Sequence, residues 1–333
     1  MVRLRRVSPR SKGYTRTRRG TGFSYTDADG AKLPPDELER VKSLAIPPAW
    51  TDVWICRYPN GHLQATGTDD AGRRQYLYHP DWRVRRDRSK FDRVTQAAAM
   101  LPGARRRIAS DLKLEGMPLE RVAAAAVRLL DVGYFRIGND AYTDAHGSFG
   151  LTTLERQHVR KNGSALVFSF VGKSGISHSI SVDDTAVIEV LQKLRTRRDE
   201  SERLLAYKEG REWHDLTSTA VNEYLGELFG GALTAKDFRT WHATVIAAEV
   251  LALSEEPGES KASRNRAVKQ AATEVAAYLG NTPTMAKNSY IDPRVVDAYE
   301  SGDTIEAAAR KKYRTAQARQ AGLEKAVLEL LAE

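Results

Sequence analysis

Hydrophobic positions recur with two different periods along the chain, and the change falls near residue 90. Upstream, residues 21–80 carry short apolar runs between turn residues. Thr51 to Arg57 reads as a strand, Pro59-Asn60-Gly61 as a turn, and His62 to Thr66 as the returning strand. Downstream of Phe91, helical spacing takes over. Pro118 to Val132 places Val122, Ala126, Leu129 and Leu130 on one face and delivers the chain to Gly133-Tyr134-Phe135-Arg136. The period then shortens. Ala165 to Val171 and Ile176 to Val182 read as two strands around Gly172-Lys173-Ser174-Gly175, a tight tip that projects Lys173.

Further helices follow. Asp183 or Asp184 caps one that carries Val187, Ile188, Leu191 and Leu194, and Thr217 or Ser218 opens another with Val221, Leu225 and Leu228. A third runs from about Arg239 through Ile246 and Val250 to Leu253. Glu255 to Ser263 is a polar loop, Arg264 to Leu279 is helical, and a long Ala-rich helix is expected from Thr304 onward. The pattern predicts an α+β protein. A β-rich N-terminal domain over 21–90 precedes a mainly α domain with a small antiparallel sheet over 91–333.

Charge refines this division. The 333 residues include 52 Lys plus Arg and 43 Asp plus Glu, for a formal charge of +9. Residues 1–20 hold eight basic side chains and no acid, so the rest of the chain is close to neutral. That composition predicts a flexible basic arm over 1–20, of the kind that touches polyanions. Residues 73–93 add Arg73, Arg74, Arg83, Arg85, Arg86, Arg88, Lys90 and Arg93, interleaved with Tyr76, Tyr78, Trp82 and Phe91. Cations mixed with flat side chains suit nucleic acid better than a plain solvated face. Mean hydropathy is −0.50 and no apolar run approaches the roughly 20 residues of a membrane span. The N-terminus has no apolar core behind its charges, so no secretory signal is expected. The single cysteine, Cys56, excludes an internal disulfide framework and fits a reducing, cytoplasmic setting.

The familiar catalytic templates are missing: there is no phosphate-binding Gly-rich loop with Lys-Ser/Thr, no His-Glu-x-x-His and no dinucleotide fingerprint. The seven histidines are scattered, and His178 and His242 read as packed or surface residues rather than ligands. No cofactor or metal is expected.

Four segments nevertheless belong together: Gly133-Tyr-Phe-Arg136-Ile-Gly-Asn-Asp140, Phe170-Val-Gly-Lys173-Ser-Gly-Ile-Ser-His178, Lys236-Asp-Phe-Arg239-Thr-Trp-His-Ala-Thr244 and Leu279-Gly-Asn281-Thr-Pro-Thr-Met-Ala-Lys-Asn-Ser-Tyr290-Ile-Asp. In this order and spacing they resemble the type IB DNA topoisomerases, in particular the small poxvirus and bacterial branch. The resemblance covers about residues 21–300 and includes Gly72-Arg-Arg-Gln75-Tyr76-Leu-Tyr78. It implies a monomeric clamp around double-stranded DNA, associated with the nucleoid. Such an enzyme nicks one strand through a 3′-phosphotyrosyl bond and reseals it, relaxing supercoils without ATP or metal.

On this resemblance Tyr290 is the nucleophile, Arg136 and Arg239 grip the non-bridging oxygens, and Lys173 protonates the departing 5′-oxygen. Asn281 stands where the family usually has a histidine; an amide still donates a hydrogen bond but carries no charge. Gln75 and Tyr76 match the family's DNA-touching pair, with Arg73 and Arg74 beside them, although a packing role also suits Tyr76. Tyr278 and Tyr299 rival Tyr290, and the nine-residue step from Asn281 favours Tyr290. Two other readings stay open. A tyrosine recombinase shares this chemistry but favours a His three residues before the second Arg, where this chain has Lys236. A non-catalytic DNA-binding protein would use the basic segments alone.

Overall fold

The turn at Pro59-Asn60-Gly61 is pinned from inside by one amide. Gln64 is buried, and its Nε2 donates to the carbonyls of Tyr58, Pro59 and Gly61 at 3.2, 3.1 and 2.7 Å. This turn joins two central strands of an antiparallel sheet. The strands are β1 (Tyr14–Arg19), β2 (Gly22–Thr26), β3 (Thr51–Ile55), β4 (Leu63–Thr68) and β5 (Arg74–Tyr78), in the order β2-β1-β3-β4-β5. β4 lies between β3 and the edge strand β5 and is buried on both faces for most of its length. One helix, α1 (Pro35–Ser43), contributes Val41 to a core with Leu33, Ile46, Val53, Ile55 and Ala65. The computed structural model describes residues 3–133, 135–138, 143, 147–254 and 260–332. The chain divides into two compact units after Phe91.

The basic arm expected over residues 1–20 is not a free arm in its described part. Residues 14–19 form β1, paired with both β2 and β3. Farther upstream, Arg5 N–H donates to the Asn60 carbonyl at 2.8 Å and the Arg5 carbonyl accepts from His62 N–H at 2.9 Å. Arg16 lays its guanidinium against the Phe23 ring and donates to the carbonyls of Ile46, Pro47 and Trp50. A long cationic side chain buries its stem on the sheet while its fork caps backbone oxygens. The residues that suggested disorder by composition are therefore partly structural.

The second unit starts within a long helix, α2 (Pro80–Asp111), and is mainly α. Helix α3 (Leu119–Gly133) leads through short 3-10 turns to a three-stranded antiparallel sheet. Its strands are β6 (Val159–Asn162), β7 (Ala165–Val171) and β8 (Ser177–Val182), in that order. Helix α4 (Thr185–Arg195) is followed by the hairpin of β9 (Ala206–Glu209) and β10 (Glu212–Asp215). The remaining helices are α5 (Ser218–Phe229), α6 (Ala235–Ala252), α7 (Lys261–Leu279), α8 (Pro283–Ser289), α9 (Pro293–Ser301), α10 (Glu306–Ala309) and α11 (Ala316–Leu330). Caps fix their starts. Asp184, not Asp183, accepts from Val187 N–H, and Thr217 accepts from Ala220 N–H. Helix α6 starts at Ala235, upstream of the expected Arg239, because Thr234 and Asp237 form a reciprocal cap.

The C-terminal segment differs from the single helix expected after Thr304. Helix α10 stops after one turn, and Thr315 accepts from Ala318 N–H to start α11 afresh. Composition alone, rich in Ala on both sides, does not reveal that break. Of the expected polar loop from Glu255 to Ser263, residues 255–259 lie outside the described residues, and α7 begins at Lys261, earlier than Arg264. No helix among the described residues is long and apolar enough to cross a membrane.

A buried charge network ties these helices together. Arg105 on α2 donates to Asp131 on α3 at 2.8 and 2.9 Å and to Glu324 on α11 at 2.6 and 2.8 Å. Arg128 bridges Asp131 and the α4 cap Asp184, both at 2.8 Å, and His242 on α6 approaches Asp131 at 3.5 Å. Burial pushes the Asp131 carboxyl up, but His242 and Arg105 outweigh it and hold the group well below the usual range. Removing Arg105 would leave Asp131 and Glu324 buried without their common cation. Arg105→Ala is therefore expected to cost about 3–5 kcal/mol. This is read as a lower urea midpoint with an unchanged slope; a loss below about 1 kcal/mol would show that the network contributes no more than a surface pair.

Candidate active site

Helix α6 is buried on nearly every side, yet it carries Asp237, Arg239, Thr240, His242 and Thr244 in its buried positions. An interior polar helix is costly unless its groups are paired or used. Arg239 Nη2 donates to the Leu279 carbonyl at the end of α7. The same carbonyl lies 3.5 Å from Arg136 Nη2, which also reaches the Gly280 carbonyl at 3.3 Å and Asn281 Oδ1 at 2.7 Å. The last carbonyls of a helix lack intrahelical donors and carry partial negative charge, so they attract guanidiniums.

Arg136 is delivered by the segment that follows α3. Phe135 beside it is 1% exposed, packed edge-on against Phe168 and parallel to Phe170 at 6.1 Å. Leu151 N–H donates to the Arg136 carbonyl at 2.8 Å. Within the motif around Arg136, Tyr134, Asn139 and Asp140 lie outside the described residues.

Tyr290 caps the C-terminal end of α8 and is 7% exposed. Its carbonyl lies 3.3 Å from Thr244 Oγ1, and that hydroxyl accepts from Asp292 N–H at 3.1 Å, so α6 fixes the backbone on which the phenol stands. The Arg239 guanidinium carbon is 5.9 Å from the centre of the phenol ring, and the hydroxyl is in hydrogen-bonding reach of both Arg136 and Arg239. Burial pushes the Tyr290 phenol up, but the charges of Arg239, Arg136 and Lys236 together pull it below its ordinary value. The guanidiniums feel each other as well. Burial, and then the positive charge of Arg136, bring Arg239 down to about 10, which leaves it charged at neutral pH.

Four of the residues singled out in the sequence, Arg136, Arg239, Asn281 and Tyr290, thus meet at one place. Asn281 accepts from Arg136 through Oδ1, while its Nδ2 is shielded from solvent with no hydrogen-bond partner among the described residues. A buried donor without an acceptor is unfavourable by roughly 1–3 kcal/mol, and an incoming anionic oxygen would satisfy it. The rival Tyr278 is half exposed on α7, and Tyr299 is buried in α9. Lys173 is exposed in a 3-10 turn over Lys173–Gly175, at the tip between β7 and β8.

One residue read as packed or at the surface belongs here. His178 sits opposite Phe170 in the β7–β8 ladder, its ring close to Gly172 and Gly280. Burial, then Arg136 and Arg239, push its imidazole below the ordinary value. The signal available in the sequence was its place five residues after Lys173 on the same hairpin. Among the described residues no group of three or more His, Cys, Asp or Glu side chains is arranged to hold a metal.

The N-terminal unit carries the other residues singled out, on or beside β5. Tyr76 is 49% exposed and its ring lies parallel to that of Tyr78 at 6.2 Å. Gln75 donates to Asp69 at 2.8 Å, Arg73 pairs with the same carboxylate, and Arg74 reaches Thr66 Oγ1 and the Asp52 carbonyl. Tyr76 is thus open to a partner, whereas Gln75, Arg73 and Arg74 shape the strand edge through contacts of their own. On α2, Arg83, Arg85, Arg86 and Arg88 are exposed.

The family described as eukaryotic DNA topoisomerase I, catalytic core, matches residues 79–319, and that described as bacterial DNA topoisomerase IB, N-terminal domain, matches residues 22–69. The chain is 28% identical to DNA topoisomerase 1B of Acanthamoeba polyphaga mimivirus, over 87% of this chain and 88% of that protein. It is 22% identical to DNA topoisomerase 1B of Vaccinia virus (strain Copenhagen), over 88% of this chain and 92% of that one. DNA topoisomerase 1 of Schizosaccharomyces pombe is 31% identical over 50% of this chain, which spans only 19% of that longer protein.

The guanidinium pair makes a spectroscopic prediction. Where ionisation is displaced among the described tyrosines, Tyr14 and Tyr224 move up and Tyr290 moves down. Ultraviolet titration is expected to show one phenol ionising ahead of the rest. Tyr290→Phe should abolish that early step, and Arg239→Gln should move it to higher pH by removing the nearest cation. An early step that survives in Tyr290→Phe would place the guanidiniums against another tyrosine.

Proposed function

The chain belongs to the type IB DNA topoisomerases, and from that premise we propose how its own residues divide the work of cleaving and resealing DNA. The observation that carries the assignment is the phenol of Tyr290 lying against two guanidiniums that are anchored by helix-end carbonyls. The recombinase and non-catalytic readings give way to the topoisomerase family, whose profile spans most of the chain.

In the forward step the Tyr290 hydroxyl oxygen attacks the scissile phosphorus and the bond from phosphorus to the 5′-oxygen breaks. The products are a 3′-phosphotyrosyl ester and a 5′-hydroxyl. The phenol must shed its proton to solvent, and an ordinary phenol with a pKa of ~10 does so poorly at neutral pH. Arg239, Arg136 and Lys236 make that loss easier by favouring the phenolate. As the phosphorus becomes pentavalent, its non-bridging oxygens gain negative charge. Planar forks from Arg136 and Arg239 meet that charge, and the spare Nδ2 of Asn281 supplies a neutral donor.

Lys173 gives the departing 5′-oxygen its proton, so no free alkoxide forms. Religation reverses each transfer: the 5′-hydroxyl attacks, Lys173 takes the proton back, and tyrosinate leaves. One phosphodiester is exchanged for another, so the ester itself conserves the energy needed to reseal and no ATP enters the balance. Tyr76 and the exposed arginines of α2 are assigned to the DNA backbone, with the protein acting as a monomer that clamps duplex DNA at the nucleoid.

Two variants on end-labelled DNA test this reading. Tyr290→Phe is expected to bind DNA but leave no protein-linked strand after denaturation. Lys173→Ala should lose about 10²–10⁴-fold in single-turnover cleavage of ordinary DNA. It should recover most of that rate on DNA with sulfur in the bridging 5′ position, since a thiolate (thiol pKa ~8.5) needs little protonation to leave. Arg136→Ala and Arg239→Ala should stay impaired on both substrates. A covalent adduct in Tyr290→Phe, or a Lys173→Ala defect equal on oxygen and sulfur, would overturn the corresponding assignment.

A further inference from the structure

The loop that carries Lys173 and the turn that carries Asn281 come from distant parts of the sequence, and one ring lies between them. A Cβ added at Gly172 would fall 2.6 Å from His178 Cδ2 and 2.7 Å from Nε2, and one added at Gly280 would fall 2.9 Å from Cε1. Both separations are too short for real carbon atoms, so the imidazole occupies the space that side chains would fill at these two positions. Gly172 immediately precedes Lys173, and Gly280 immediately precedes Asn281. The third side of the ring rests on Phe170, its cross-strand partner, with centroids 5.2 Å apart and planes 25° apart. Phe170 in turn lies parallel to Phe135, the neighbour of Arg136.

We infer that His178 is a positioning residue, which keys the base of the Lys173 hairpin to the turn holding Arg136 and Asn281 and so sets the proton donor in register with the phosphate. The inference rests on the role of Lys173 proposed above. Three contacts made by one flat ring fix the hairpin base, from which the tip carrying the exposed Lys173 projects. The hairpin closes through Gly172 N–H donating to the Ile176 carbonyl at 2.8 Å, so displacement at Gly172 is passed directly to residues 173–175. The ionisation of the imidazole is consistent with a packing role. Burial and the charges of Arg136 and Arg239 favour its neutral form, so it adds no third cation to the pair.

A residue that acts through the acid leaves a distinct kinetic mark. Misplacement on the scale of 1 Å is able to cost on the order of 10²-fold in rate. His178→Ala is therefore expected to slow single-turnover cleavage of ordinary DNA by about 10- to 100-fold with DNA affinity and thermal melting unchanged. On DNA with a bridging 5′-sulfur most of that loss should vanish, and His178→Ala/Lys173→Ala should be no slower than Lys173→Ala alone on ordinary DNA. Gly172→Ala supplies a second route should His178→Ala fold poorly. The φ of −97° at Gly172 suits alanine, so the added methyl acts by displacing the ring. It should reproduce the same pattern, and should add nothing in the His178→Ala background.

A His178→Ala defect equal on oxygen and sulfur, or no defect at all, overturns the inference whatever Lys173→Ala shows. Relief by sulfur in His178→Ala but not in Lys173→Ala would make the imidazole itself the donor, and would end both the positioning role and the assignment of Lys173.

Discussion

Two like charges held side by side organise this protein. Arg136 and Arg239 are brought to the same helix-end carbonyl by a loop after α3 and by the buried helix α6. Left to themselves the guanidiniums would separate into water. Here the carbonyls of Leu279 and Gly280 accept their hydrogens, and burial first, then the charge of Arg136, lowers the ionisation of Arg239. Such a pair favours any anion placed before it. The phenolate of Tyr290 is one, and the charge that builds on a phosphate during transfer is a larger one. In the reaction proposed above, the same unfavourable proximity of the two guanidiniums favours the transition state, where stabilisation contributes to rate.

Holding that pair in place demands a rigid support, and the buried charge network meets the demand. His242 lies one turn beyond Arg239 on α6 and contacts Asp131, which is bound in turn by Arg105 and Arg128. Through Glu324 the network extends to α11, the last helix of the chain. Replacing all these groups by apolar residues would be no loss of stability in many proteins, so their presence argues for geometry rather than strength. Thr244, a turn along from Thr240, fixes the Tyr290 backbone from the same helix. One element thus sets the positions of both the Tyr290 phenol and one of the guanidiniums.

Much of this was legible in residue order. Short apolar runs and a Pro-Asn-Gly turn marked the N-terminal sheet, and the pairs Asp183-Asp184 and Thr217-Ser218 marked two helix starts without deciding between their members, because caps and turns are decided by neighbours in the chain. The four motifs placed Arg136, Arg239, Asn281 and Tyr290, although nothing in their spacing says that the first two share the Leu279 carbonyl. Three features were hidden for physical reasons. Residues 1–20 look like a solvated arm because they hold eight basic side chains and no acid, yet Arg16 is held by three carbonyls that lie some thirty positions away. The interruption between α10 and α11 rests on a single hydroxyl cap in an Ala-rich stretch. The place of His178 depends on two glycines more than a hundred residues apart, and an absent side chain leaves no pattern to read.

The amide at residue 281, where the resemblance leads one to expect a histidine, is understood through its hydrogen-bond inventory. An Asn side chain has one acceptor and two donor hydrogens, and here the acceptor is committed to Arg136 at 2.7 Å. That bond fixes which end of the amide faces Arg136 and leaves Nδ2 as the donor that still lacks a partner. The contacts of Arg136 with Leu279, Gly280 and Asn281 all use Nη2, so the remainder of its fork stays available to the phenol and to a phosphate. An imidazole at residue 281 would add charge only when protonated, beside two guanidiniums that oppose protonation, as they already do at His178. In this setting a neutral donor gives up little, because the neighbouring arginines supply the charge and the amide supplies direction.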